Sequence, residues 1–261
     1  MHALLQTDLY PIDQAGVARD QLIAHCRAEL AQDGMTTLDA FLRPEIAETA
    51  ARDLAPLMAE DSFEHRRSHN IYFRDEVEGL APDHPALARR ETVNHTLCAD
   101  QLSASPVVAL YEWPPLVAFL AAIMDKPALH LMQDPLARVN VMSYRAGKAL
   151  NWHFDRSEFT VTLLLQAPEG GGVFQYRPEL RSDEYPNHDG VACLLSGQDP
   201  DLREARLSPG ALNIFRGRNT PHRVTPVEGA VDRMIAVFSY FDRPGVAFTA
   251  KEQIGFYGRA G

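Results

Sequence analysis

The sequence predicts an α+β fold in which a helical N-terminal half supports a β-rich C-terminal half, an antiparallel sandwich or jelly roll. Two observations carry this. Apolar residues recur at helical spacing up to about residue 125, and after Pro127 the texture changes to short β-rich runs punctuated by glycine and proline. The chain has 261 residues, 46% hydrophobic and 23% charged, an ordinary globular composition that can bury a sizeable core.

Ala15 to Asp33 reads as an amphipathic helix stopped by Gly34, and Met35 to Leu42 as a strand. Pro44 opens a second helix to about Glu60, with Pro56 expected to kink it or end it early. Asp61 to Gly79, polar and aromatic, suits a strand or a lid. Helical zones are expected from Pro85 to about Leu102 and from Pro115 to Asp125. The β runs are Ala128 to Met132, Ala137 to Tyr144, Phe159 to Leu165, Gly172 to Tyr176, Ala211 to Phe215, His222 to Val227 and Met234 to Phe241. An acidic, turn-rich connection spans about Arg181 to Leu207. The whole of 1–261 reads as one domain, with 1–126 as support and lid, 127–245 as β core and 246–261 as a tail.

Charge and cysteines narrow the functions. With 25 Lys+Arg against 35 Asp+Glu the formal charge is −10, which argues against a nucleic-acid partner. The three cysteines, Cys26, Cys98 and Cys193, form neither a disulfide framework nor a zinc pattern. The longest apolar run, Leu116 to Met124, is too short to span a membrane, and no secretory signal is visible; the expectation is a soluble, cytoplasmic protein. A homodimer is compatible with this reading.

Asn151-Trp152-His153-Phe154-Asp155 carries the metal hypothesis. Strand alternation would put His153 and Asp155 on one face, about 7 Å apart along the chain. His222 opens a later strand. Two histidines and a carboxylate on one side of a metal leave the other side open, the arrangement of non-haem Fe(II) oxygenases. Ten histidines and 35 acidic residues predict about one His-x-acidic match by chance, so the motif gains weight from its setting. Arg233, eleven residues after His222, begins the apolar run Met234 to Phe238. A buried guanidinium there needs an anion, either a core carboxylate or that of a bound cosubstrate.

Tyr144-x-x-Gly147, His153-x-Asp155, His222-Arg223-Val224 and Arg233, in that order, resemble the Fe(II)/2-oxoglutarate-dependent dioxygenases. The resemblance covers about 138–241 and includes the Gly170-Gly171-Gly172-Val173-Phe174 turn and the Pro209-Gly210-Ala211-Leu212 strand entry. It implies a double-stranded β-helix, a cupin-like jelly roll. The N-terminal layout and Asp134-Pro135-Leu136 are similar to the branch containing free-amino-acid halogenases and their hydroxylase relatives. Halogenases of that branch replace the metal carboxylate with a small residue so that chloride can bind; this chain keeps Asp155, which favours hydroxylation.

The resemblance implies that His153, Asp155 and His222 hold Fe(II), and that Arg233 pairs with the distal carboxylate of 2-oxoglutarate. It implies that Tyr144 hydrogen-bonds the cosubstrate. Thr160 and Thr162, on one strand face, could reach it too. O2 is the oxidant, and succinate and CO2 are released. Arg74 and Arg156 are candidates for a substrate carboxylate and Trp152 for a pocket wall, the substrate being a free amino acid or similar small polar metabolite. His65, His69 and His188 are expected to have no metal role. A protein- or peptide-modifying hydroxylase, a nucleic-acid demethylase lacking its basic groove, and a non-catalytic metal-binding cupin-like module remain as alternatives.

Overall fold

The computed structural model describes residues 1–103 and 105–261. Helix α1 (Val17–Asp33) ends on Gly34, whose left-handed backbone (φ 68°) turns the chain directly into strand β1 (Met35–Leu38). Helix α2 (Pro44–Glu60) starts with proline, where the missing N–H costs nothing, and buries Ala47, Ala50, Ala51, Leu54 and Met58. It does not end at Pro56. The proline lies in the last turns, and the buried Met58 beyond it keeps the helix docked.

Strand β2 (Phe63–His69) pairs antiparallel with β3 (Arg90–Cys98), correcting the helix expected over Pro85 to Leu102. Only short 3-10 turns, Pro85–Leu87 and Ala99–Leu102, flank that strand. Thr92, Val93 and Thr96 are β-branched, and pairing on both edges settles the local ambiguity in favour of a strand. Helices α3 (Pro106–Tyr111) and α4 (Pro114–Ile123) follow, each opened by proline.

The β half runs β4 (His130–Leu131), β5 (Val139–Tyr144), β6 (Leu150–His153), β7 (Thr160–Gln166), β8 (Gly170–Gly171) and β9 (Phe174–Tyr176). Helix α5 (His188–Leu195) and β10 (Arg203–Ala205) occupy the acidic connection. Strands β11 (Leu212–Phe215), β12 (His222–Val224), β13 (Val227–Glu228), β14 (Arg233–Phe238) and β15 (Tyr240–Phe241) complete it. Residues 246–261, expected as a tail, contain helix α6 (Ala250–Tyr257), opened by a capping box between Thr249 and Glu252.

Eleven strands form a seven-stranded antiparallel sheet, β1-β11-β7-β14-β5-β3-β2, and a four-stranded one, β10-β9-β12-β6, and β13-β8 and β15-β4 form two-stranded ladders. Alternation divides the large sheet by chemistry. Val139, Val141, Val161, Leu163, Leu212, Ile214, Met234, Ala236 and Phe238 pack in one core with residues of α1, α2, α3 and α4. The intervening residues of the same strands, such as Thr160, Thr162, Asn213, Tyr144 and Arg233, line a cavity shared with the small sheet.

Helix α6 is fastened to this assembly from beneath. The fully buried Asp134 carboxylate accepts from the backbone N–H of Leu136, Ala137 and Phe248 and from the Gln253 side chain, at 2.8–3.0 Å. Each such bond to a charged acceptor contributes roughly 1.5–3 kcal/mol. The Tyr257 hydroxyl donates to Asn140 at 2.8 Å, and α6 thereby brings Phe256 and Tyr257 to the cavity.

Candidate active site

The cavity has a volume of about 310 Å³. Its polar floor is set by register. Arg233 faces Tyr144 across β14–β5, and Thr162 on β7 lies between Val237 of β14 and Asn213 of β11. On the small sheet His222 is directly opposite His153.

His153 ends β6, and Asp155 lies beyond it, not on the strand as alternation supposed. The chain leaves the ladder there. The Phe154 N–H donates to the Ile71 carbonyl (3.1 Å) and the Asp155 N–H to the Gly217 carbonyl (3.0 Å), so the carboxylate folds back against the histidines. Asp155 Oδ1 lies 3.4 Å from His153 Nε2 and Oδ2 lies 3.5 Å from His222 Nε2. One donor atom from each of the three fits within 4.8 Å of the others.

Each imidazole is oriented by its own chain. Nδ1 of His153 donates to the Asn151 carbonyl (2.9 Å) and Nδ1 of His222 to that of Thr220 (3.0 Å). Both Nε2 atoms thus turn their lone pairs toward Asp155, the tautomer a metal requires. Burial pulls His222 down to about 4 against the pull of Asp155, so it is neutral at physiological pH. Burial disfavours the charged form of Asp155, whereas the Thr160 hydroxyl, donating at 2.6 Å, favours it. Two imidazole nitrogens and one carboxylate are the donor set of a non-haem Fe(II) centre with open positions, and these residues fit that ion.

Gly217 makes the arrangement possible. A Cβ there would sit 2.8 Å from Asp155 Cβ and collide with Oδ2. Gly217→Ala is therefore expected to displace the carboxylate and weaken Fe(II) or Mn(II) binding by about 10–100-fold. Titration against a competing chelator checks this; unchanged affinity would show that the carboxylate has room to spare.

Arg233 is 3% exposed and, among the described residues, its side chain has neither an ion pair nor a hydrogen bond. Burial lowers its pKa to about 10, opposed by Tyr144. The Tyr144 hydroxyl has only the Met142 sulfur, at 3.9 Å, as acceptor, and burial pushes it up to about 12. Asn213 Nδ2 is a buried donor without an acceptor, while its Oδ1 accepts from Thr37 at 2.9 Å. A cation, a hydroxyl and an unpaired amide on one floor suit a small dianion such as 2-oxoglutarate.

The substrate candidates fare unevenly. Arg156 lines the cavity, but its side chain is 73% exposed and paired with Glu252 at 3.3 Å. Arg74 is exposed and outside the lining. Trp152 also lies outside it, packed with Ile71, Ala86, Phe154 and Leu180. Being next to His153 in a strand it must face the other way, a consequence the sequence already contained. Asn94 and Thr96 of β3, and Phe256 and Tyr257 of α6, line the cavity without having been anticipated.

The sequence family described as Halogenase D matches residues 18–249. No curated protein matches significantly. Among solved structures the chain resembles the non-heme alpha ketoglutarate dependent epimerase SnoN from nogalamycin biosynthesis, with 14% identity, TM-score 0.57, and coverage of 85% of this chain and 84% of that one. It also resembles AviO1 of Streptomyces viridochromogenes Tue57, with 16% identity, TM-score 0.55, and coverage of 85% and 96%. An oxidoreductase of the 2OG-Fe(II) oxygenase family from Burkholderia pseudomallei gives 16% identity, TM-score 0.53, and coverage of 86% and 92%. The chain belongs to the Halogenase D family.

Proposed function

We propose that this protein hydroxylates an unactivated C–H bond of a small polar metabolite, a free amino acid or derivative, releasing succinate and CO2. The observation that carries the reading is Asp155. Its carboxylate completes the donor set with His153 and His222, filling the position that halogenases of the resembling branch leave to chloride.

In this reading His153, Asp155 and His222 hold Fe(II). Arg233 takes the distal carboxylate of 2-oxoglutarate through its two-pronged guanidinium, with Tyr144, Thr162 and Asn213 as hydrogen-bonding neighbours. The bound iron and cosubstrate supply the oxidising power. The chain keeps His222 neutral, offers the cosubstrate's charge a buried partner in Arg233 and lines the cavity with the apolar Met142, Ile235 and Val237. The two sheets are read as a double-stranded β-helix, and 1–261 as one domain, with β2, β3 and α6 closing the open side.

Anaerobic addition of Fe(II) and 2-oxoglutarate should produce a visible metal-to-ligand charge-transfer band. Oxygen with candidate amino acids should then yield succinate matched by a product that gains one oxygen. A chlorinated product in the presence of chloride, or no band, would overturn the reading.

A further inference from the structure

Two guanidinium groups line the cavity without an anionic partner among the described residues. Arg233 is assigned above; Arg67, on β2, is not. Arg67 is half-buried, makes no ion pair or side-chain hydrogen bond there, and lies 4.8 Å above the Phe73 ring. Among the described residues its surroundings offer no free anion. Arg89 takes Asp75, Arg156 takes Glu252, and Arg66, on the opposite strand face, takes Glu64 and Glu91. Burial lowers the pKa of Arg67, and Arg156 and Arg89 lower it further.

Phe73 is held at a cost. Its φ of 55° is left-handed, a conformation costing a bulky side chain about 1–3 kcal/mol. The ring stacks on His69 at 4.3 Å and meets His153 edge-on at 5.7 Å. It therefore forms a platform reaching from Arg67 to a residue of the metal set.

The rest of the wall is selective in sign. Among the lining residues Asp155 is the single acidic side chain, and the reading above commits it to iron. The ionisable remainder are arginines, histidines, and the hydroxyls of Tyr144 and Tyr257; Met142, Ile235, Val237 and Phe256 are apolar. An ammonium or guanidinium placed there would be buried without a counter-ion, which costs several kcal/mol. We propose that Arg67, backed by Phe73, binds the carboxylate of the primary substrate, and that this substrate is a monocarboxylate whose oxidised end carries no positive charge. The proposal rests on the Fe(II)/2-oxoglutarate reading and adds the substrate class to it.

The test uses protein loaded anaerobically with Fe(II) and 2-oxoglutarate, titrated with free amino acids and their primary amides. Substrate binding is read from the perturbation of the charge-transfer band, and turnover as succinate after oxygen is admitted. Acids with neutral side chains should bind at least about 30-fold more tightly than their amides. Lysine and arginine should bind no better than norleucine. In Arg67→Gln the preference for acid over amide should vanish while the band and the 2-oxoglutarate titration persist, and Arg67→Lys should restore part of it. Equal binding of acids and amides by the wild type, a preference for cationic side chains, or a retained preference in a loaded Arg67→Gln would overturn the proposal with the iron reading intact. The wild-type comparison stands alone if the variant fails to load. No band in the wild type would overturn the iron reading, and this proposal with it.

Discussion

Asp155→Ala is expected to abolish hydroxylation and to weaken Fe(II) binding by more than about 100-fold, beyond what the loss of an outer-shell partner costs. Asp155 supplies the only acidic side chain among the lining residues, so no neighbour can replace it beside a dication. The two imidazoles keep their orientation, because their Nδ1 bonds go to backbone carbonyls and not to Asp155. The variant therefore retains the two imidazole donors and loses the anionic one. Asp155→Glu should be nearly as damaging, since Gly217 already abuts the carboxylate and leaves no room for another methylene. Bound iron and substrate-dependent succinate are the measurements, with chloride present and absent. Chloride should not restore hydroxylation to Asp155→Ala. Wild-type turnover in that variant would remove Asp155 from the ligand set.

The centre was legible in sequence because its parts are short-range. His153 and Asp155 are two residues apart, His222 opens a strand, and Arg233 heads an apolar one, all features that survive without knowing how the sheets pair. Strand alternation alone does not bring the first pair together. Alternation along a strand would have spaced the two residues by about 7 Å. The close approach instead comes from a departure from the strand, fixed by carbonyls of Ile71 and Gly217 that are remote in sequence.

What remained hidden depended on long-range pairing. Nothing local in Arg90–Cys98 decides between helix and strand. The decision belongs to β2 and β5, which flank it, and with it went Asn94 and Thr96 as cavity residues. The same holds for α6. Its aromatic residues reach the cavity only because Asp134, more than a hundred positions earlier, binds the Phe248 N–H and the Gln253 side chain. Arg67 was visible as one of several arginines in a polar segment, but its lack of a partner is a property of where its neighbours' carboxylates go.

Arg233→Met is expected to weaken 2-oxoglutarate binding by at least about 30-fold while leaving the folded protein as stable as the wild type or more so. The two halves of that result have one cause. Without cosubstrate the guanidinium is buried with no anion among the described residues, so its charge opposes folding, and burial already lowers its pKa to about 10. Methionine fills similar space beside Ile235 and Leu164 without that penalty. With cosubstrate the sign reverses. A charge-paired, hydrogen-bonded carboxylate at a buried site is worth about 2–5 kcal/mol, a loss in affinity of roughly 30-fold to several thousand-fold. Arg233→Lys keeps the charge but not the planar fork, so it should fall between the two. Thermal unfolding of the metal-loaded protein separates the effects. At 100 times the wild-type dissociation constant, 2-oxoglutarate should stabilise the wild type by about 2.7 kcal/mol and Arg233→Met by less than about 1 kcal/mol. A variant that loses stability on its own, or that 2-oxoglutarate stabilises as strongly as the wild type, would mean that Arg233 is held by an internal partner and that another residue receives the cosubstrate's charge.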